Sequence, residues 1–264
     1  RVTTPFGAPS DAVIRGQLGD VTMLFLPRHG RGHRLPPHRI NYRANIFALK
    51  VLGAEQLVSV SAVGSLREEI QPGHMVLVDQ FIDRTRQRAS TFFDDAGVVA
   101  HVGLADPTDA ALSQALLAAV KEAGGHVHMG GTYVCMEGPQ FSTRAESLMY
   151  RSFGAHVIGM TNLPEAKLAR EAELPYASLA MATDYDCWHH SEEVVTVEAV
   201  IAVLHKNVDL AKNTLRALST RLPNAAESPA SSALENAIIT QGSHISTETR
   251  QLLAPLLKKY FPAE

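Results

Sequence analysis

At 264 residues, with 45% apolar and 19% charged side chains, the chain has globular composition and is long enough to bury a substantial core. A net charge of −3 supplies no global attraction to nucleic acid or anionic membrane, and no apolar run approaches the roughly 20 residues of a membrane span. Two cysteines, Cys135 and Cys187, offer no disulfide framework and favour a reducing compartment, so a cytoplasmic location is expected.

The opening "RVTTPFGAPS" starts on Arg and lacks the apolar centre of a signal peptide, so the natural start is expected upstream. Strand and helix patterns then alternate. "VTMLFLP" (21–27) is a short apolar run, whereas "NYRANIFALKVLG" spaces Ala44, Phe47, Ala48 and Val51 at helical intervals and stops at Gly53. "EQLVSVSAVGS" (55–65) alternates as a strand does and breaks at Gly64; "HMVLVD" comes next, and 108–123 is an Ala/Leu-rich helix. "GTYVCMEGP" runs as a strand into Pro139. "TRAE" (143–146) matches a capping box and predicts a helix with Ala145, Leu148, Met149 and Phe153 on one face. "HVIGM" and "YASLAMA" are further strands, separated by a helix that Pro164 can start. From Val197 to Leu218 a long helix places Val200, Ile201, Leu204, Val208 and Leu215 on one face. "LPNAAESPASSA" (222–233) has the composition of a flexible linker, and Leu252, Leu253, Leu256 and Leu257 mark a last amphipathic helix. The alternation predicts one α/β domain over 1–221, helices on a parallel or mixed sheet, with a helical segment over 234–264 packing on it.

Polar groups gather where the strands end. "LPRHGRGHRLPPHRINYR" (26–43) holds five arginines and three histidines, and no acid lies between Asp20 and Glu55, so this stretch calls for an anion. A small phosphate fits better than nucleic acid, since the segment lacks aromatic interleaving and any known binding motif. His29, His33 and His38 do not match a familiar metal-ligand spacing, and structural histidines are the plain alternative. Ser61 and Thr161 each stand at a strand end, where hydroxyl and backbone N–H groups can face an anion. "ATDYDCWHH" (182–190) delivers Asp184 and Asp186 from an apolar strand; metal ligands, acceptors for a bound molecule and an ordinary capped turn compete for them. Neither G-x-x-x-x-G-K-[ST], G-x-G-x-x-G nor G-x-S-x-G occurs, so nucleotide motors, dinucleotide enzymes and serine hydrolases recede.

Several long blocks, in order, carry a family resemblance: "RHG" at 28–30, "NYRANIFALK", "SAVGSLREEIQPGHMVLVDQFIDRT", "EGPQFSTRAES" and "GMTNLPEAKLAREAELPYASLAMATDYDCW". Over roughly residues 3–218 the chain resembles the trimeric purine nucleoside phosphorylase family, most of all its branch acting on 5′-methylthioadenosine. The resemblance implies a phosphorylase fold with a central mixed, partly barrel-like sheet surrounded by helices. It also implies an N-terminal strand and Gly-rich phosphate loop upstream of Arg1. The implied reaction is phosphorolysis of 5′-methylthioadenosine to adenine and 5-methylthioribose 1-phosphate by a cytoplasmic homotrimer. Inorganic phosphate is the co-substrate, and no cofactor, metal, nucleic acid or membrane is expected to take part.

By the same resemblance Arg28, His29, Ser61, the Ala62 backbone and Thr161 bind phosphate. Met160 packs under the ribose and Phe141 contacts the base. Asp184 serves purine N7, and Asp186 the 6-amino group or the positioning of Asp184. Ser142 stands where a 6-oxopurine enzyme of the family has Glu, and Asp184 where it has Asn, so both point to adenine. Val197 and Val200 flank the 5′-methylthio group, and His101 reaches a neighbouring subunit's site. Two other readings stay open: a broader-specificity or 6-oxopurine nucleoside phosphorylase, and a metal-dependent D-x-D sugar-nucleotide transferase using Asp184, Asp186, His189 and His190.

Overall fold

The computed structural model describes residues 2–94, 96–189 and 197–262, without the side chains of 199, 200, 202 and 204–206. The elements are β1 (Ile14–Leu18), β2 (Val21–Phe25), α1 (Tyr42–Val51), β3 (Leu57–Ser65), β4 (Met75–Val78), β5 (Gln80–Arg84), α2 (Ala110–Glu122) and β6 (Val127–Met129). They continue with β7 (Thr132–Met136), α3 (Arg144–Ser152), β8 (Val157–Gly159), α4 (Asn162–Glu171), β9 (Tyr176–Tyr185), α5 (Val197–Leu218), α6 (Thr247–Leu252) and α7 (Ala254–Leu257). β1 and β2 form a separate hairpin; the other seven strands form one mixed, curled sheet in the order β5-β7-β8-β3-β9-β4-β6.

β9 lies inside this sheet, parallel to β3 and antiparallel to β4, and every residue from Tyr176 to Thr183 is buried. Its alternation divides the core in two. Tyr176, Ala180 and Ala182 pack with Phe47 of α1, Leu168 of α4 and Leu257 of α7. Ala177, Leu179 and Met181 pack with Leu112 and Leu116 of α2 and Ala211 and Leu218 of α5. Helices therefore cover both faces, which is why the strand reads as an unbroken run of small and apolar residues. Each fully buried Leu or Met contributes about 1.5–3 kcal/mol. Small residues at 177, 180 and 182 let the helices approach closely.

Several expectations need correction. The capping box of α3 forms as read, Thr143 accepting from the Glu146 amide and Glu146 reaching back to the Thr143 amide. Its buried residues, however, are Ser147 and Tyr150, while Leu148 and Phe153 stay 52% exposed. Among the described side chains of α5 the buried ones are Asn207, Ala211, Thr214 and Leu218; Val208 and Leu215 are half-buried, Leu215 packing on the same core, Ile201 is 45% exposed, and the side chains of Val200 and Leu204 lie outside the described residues. The stretch 222–233, expected to be a flexible linker, is folded into 3₁₀ turns at Ala225–Glu227 and Pro229–Ser232. Ser228 Oγ donates to Asp109 Oδ2 at 2.6 Å, and Ala230 is buried. The last helix divides at Leu253 into α6 and α7; Leu253, Leu256 and Leu257 join the core while Leu252 faces outward.

Candidate active site

The site residues meet where β3, β8 and β9 finish. β3 and β9 run in parallel register from Leu57↔Tyr176 to Val63↔Ala182, then shift so that Gly64 pairs with Asp184. This bulge inserts one residue into β9 and re-aims the side chains beyond it. A side chain at Gly64 would meet Asp184 Oδ2 and Asp186 Cβ at 3.4 Å and Ile158 Cγ2 at 3.2 Å, so the glycine makes room for the acid pair.

Asp184 Oδ1 accepts a hydrogen bond from Thr183 Oγ1 at 2.7 Å. Burial pushes its carboxyl up to about 6, the Thr183 bond opposes that rise, and the charge of Asp186 adds to it. Asp186 is buried, which raises its carboxyl while the adjacent Ser147 hydroxyl and Cys187 amide oppose the rise, and its Oδ2 makes no hydrogen bond among the described residues. Its backbone is fixed: the Asp186 amide donates to the Ser65 carbonyl at 2.9 Å, and Trp188 Nε1 donates to the same oxygen at 2.8 Å. The Arg151 guanidinium lies 3.4 Å from the Trp188 ring centroid and covers it. Together these put one protonatable carboxyl beside an unpaired acceptor. Leaving such an acceptor unsatisfied costs about 1–3 kcal/mol, which a ligand's N–H can recover.

The loop after β7 closes on the same place. Cys187 Sγ lies 3.4 Å from the Ser142 carbonyl, and Ser142 Oγ lies 3.4 Å from Met136 Sδ. Phe141 stands at the rim, 57% exposed. Met160 comes directly after β8, half-buried, and a side chain at Gly138 would fall 2.6 Å from its sulfur. The Met160 carbonyl is held by Arg88 Nη1 at 2.6 Å, and Arg88 also donates to the carbonyls of Leu163, Met136 and Glu137.

The residues expected to meet an anion share one polar network. Asn162 Oδ1 lies 3.3 Å from Ser61 Oγ and 3.4 Å from Ser59 Oγ, and its amide donates to Ser178 Oγ. Ser59 accepts from Arg28 Nη2 at 2.6 Å. Thr161 is buried beside Asn162, its amide 3.4 Å from the Tyr133 hydroxyl. Arg28, Ser61 and Thr161 are thus brought together from distant sequence. Arg28 also forks onto Glu165, Nε to Oε2 at 2.6 Å and Nη2 to Oε1 at 2.9 Å. Burial disfavours the guanidinium charge, but Glu165 more than offsets this and keeps it cationic. Nη1 makes no hydrogen bond among the described residues and is the face left for an anion. His29 Nδ1 donates to the Leu35 carbonyl at 2.8 Å, its ring stacks on His33 at 4.1 Å, and burial holds it below the usual histidine range.

Other expected residues stand apart. Val197 begins α5 at 57% exposure, and the side chain of Val200 is outside the described residues. His101 is exposed, its amide donating to the Ala237 carbonyl at 2.9 Å, and no hydrogen bond ties it to the acid pair. Among the described residues Asp184, Asp186 and His189 do not converge as a three-ligand set, and the His189 ring stacks on Tyr185 at 4.4 Å; His190 is outside them. The sequence reading missed Glu165, Arg88 and Asn162. Composition marks charged and polar residues but not which of them the fold buries and pairs, so no local signal singled these three out.

Residues 1–220 match the profile of the phosphorylase superfamily. The chain is 58% identical over 260 residues, 98% of this chain and 91% of the other, to an S-methyl-5′-thioadenosine phosphorylase of Geobacter sulfurreducens. It is 53% identical over 261 residues, 99% and 89%, to the protein of that name in Koribacter versatilis. The crystal structure of a methylthioadenosine phosphorylase from an Antarctic soil metagenomic library superposes with a TM-score of 0.91 at 50% identity, covering 97% of this chain and 90% of that one. A methylthioadenosine phosphorylase from Schistosoma mansoni in complex with adenine gives 0.80 at 39%, covering 83% and 84%.

Proposed function

The chain belongs to the phosphorylase superfamily, and we propose that it catalyses the phosphorolysis of S-methyl-5′-thioadenosine to adenine and 5-methylthioribose 1-phosphate. The observation that carries the reading is the buried pair of Asp184, poised to hold a proton, and Asp186, with an unpaired acceptor. As the N-glycosidic bond breaks, the sugar becomes oxocarbenium-like and electron density collects on the purine. Asp184 donates to N7 of the departing base, and Asp186 accepts from its 6-amino group. Phosphate attacks the anomeric carbon from the side of Arg28 Nη1, His29, the Ser61 and Thr161 hydroxyls and the Ala62 backbone, so that the new C–O bond replaces the broken C–N bond. Met160 lies under the ribose and Phe141 closes over the base.

Val197 and Val200 suit a thioether better than a hydroxyl, which must shed water without a partner. Ser142 offers no carboxylate to the N1–H of a 6-oxopurine, so adenine nucleosides are favoured. Inorganic phosphate is the co-substrate, no cofactor takes part, and the enzyme works as a cytoplasmic homotrimer. No helix among the described residues is long and apolar enough to cross a membrane. The test is release of adenine from methylthioadenosine with phosphate varied. Strict phosphate dependence is expected; equal turnover in phosphate-free buffer, or a higher specificity constant for inosine, overturns the reading.

A further inference from the structure

Three histidines that no step of phosphorolysis uses converge on one patch of the sheet. β4 and β6 are parallel neighbours, Met75 paired with Val127 and Val76 with His128. His74 and His126, one position earlier on each segment, therefore stand side by side, and the Met75 amide donates to the His126 carbonyl at 2.8 Å. Positions 126 and 128 are two apart and share a face, because side chains alternate along a strand. The His74 and His126 rings stack with centroids 3.9 Å apart, and His128 lies 5.1 Å from each. His74 Nδ1 is 3.0 Å from His128 Nε2, and one ring nitrogen from each of the three falls within 4.8 Å of the others.

These separations suit a shared ion. With metal–nitrogen bonds of about 2.0–2.1 Å, tetrahedral ligands stand roughly 3.3 Å apart. Neutral imidazole nitrogens are the donors such an ion takes. The Gln71 amide donates to His74 Nδ1 at 3.2 Å, a bond that this nitrogen gives up when it ligates the ion. Glu69 supplies the nearby negative charge acting on His128.

We propose that His74, His126 and His128 form a binding site for a divalent transition-metal ion of the zinc class, with water in the fourth position. An all-imidazole donor set selects zinc, copper or nickel over magnesium or calcium. The ion ties the three-residue edge strand β6 to β4. It also sits close to the catalytic strand: the Ala182 amide donates to the His74 carbonyl at 2.9 Å and the Gly73 amide to the Ala182 carbonyl at 2.8 Å, two residues before Asp184. Its role is to fasten this end of the sheet, with no part in bond cleavage.

Metal-depleted protein equilibrated with Zn²⁺ and analysed for bound metal tests the site, with Co²⁺ as a spectroscopic probe. The expected result is one ion per chain, a visible cobalt spectrum of tetrahedral intensity and a higher Tm in zinc. His126→Gln and His128→Gln should each weaken binding by at least about 10-fold, and the double variant should lose the ion, the cobalt bands and the Tm shift. His29→Gln with His33→Gln, which removes the other stacked pair, should retain all three. Far-UV circular dichroism and metal-free Tm establish folding, and the exposed His126→Gln alone suffices if the double variant does not fold. Absence of stoichiometric binding, or binding that survives the double variant, overturns the proposal. None of these readouts depends on adenine release, so the phosphorylase reading stands or falls separately.

Discussion

Asp184 and Asp186 are two residues apart and chemically unlike, because one accepts from Thr183 while the other keeps a buried oxygen unpaired. The ordinary Asp pKa is near 3.9, and burial raises that of Asp184 to about 6 in the fold. The folded state therefore binds more protons than the unfolded chain between these values, so stability falls as pH rises through that window. The proton needed by the leaving base is lost over the same range. kcat/KM for methylthioadenosine should accordingly show a descending limb with a midpoint near pH 6, set by Asp184 in the free enzyme. Asp184→Asn should abolish that limb and lower turnover by about 10²- to 10⁴-fold. It should also raise stability at pH 8 by on the order of 2–3 kcal/mol, since a buried charge is removed. An unchanged profile in a folded variant would return Asp184 to an ordinary turn residue. The acid-free stretch around Arg28 was legible as a cationic segment, and the ion pair that fixes this arginine was not. Glu165 lies 137 residues away in sequence, and only the fold joins the two. Glu165→Gln keeps one acceptor but loses the charged fork, so the phosphate KM should rise roughly 10- to 100-fold while the nucleoside KM changes little. Parallel rises in both would make Glu165 a merely structural residue.

Among the elements, strands with uninterrupted apolar runs and helices with clear caps were legible, since hydrophobic period and capping act within a few residues. The orientation of α3 was not. Its periodicity shows that an apolar face exists but not whether the same chain covers it, and Leu148 and Phe153 are left outside. The connector 222–233 was misread for a related reason: small polar residues look mobile until Ser228 finds Asp109, more than a hundred residues earlier. Likewise nothing local announces why β8 ends in Gly159. The structure supplies the reason, because a methyl group there would overlap the fully buried Tyr133 hydroxyl, which faces the Thr161 amide. Gly159→Ala should thus cost about 1–3 kcal/mol by overpacking and disturb the phosphate side of the site. Gly103→Ala, where no atom lies within 4 Å of the added carbon, should stay within about 0.5 kcal/mol of the parent. Denaturant midpoints of the two variants decide the matter; equal losses would remove the Tyr133 clash as the cause.

At the scale of the whole molecule, a single chain leaves the proposed specificity groups open. Phe141 and Val197 are each 57% exposed, and His101 is exposed and unconnected by hydrogen bonds to Asp184. An aromatic that packs on a base and a valine that packs on a thioether gain little while half in water, so a neighbouring copy that covers them is what the proposed homotrimer adds. Composite sites make a specific prediction for mixed assemblies. His101→Glu places a charge beside the thioether and should raise the methylthioadenosine KM, whereas Asp184→Asn removes the proton donor. If each site takes Asp184 from one subunit and His101 from the next, dissociating and reassembling the two variants together creates some sites with both native residues. Those sites should recover a low KM and native turnover per site, although each variant assembled alone lacks them. The measurement is initial rate against substrate for separate and co-assembled variants at equal total protein, with subunit exchange verified by mass. A self-contained site cannot be restored by mixing, so activity no greater than the average of the two separate variants would show that His101 does not complete a neighbouring subunit's site.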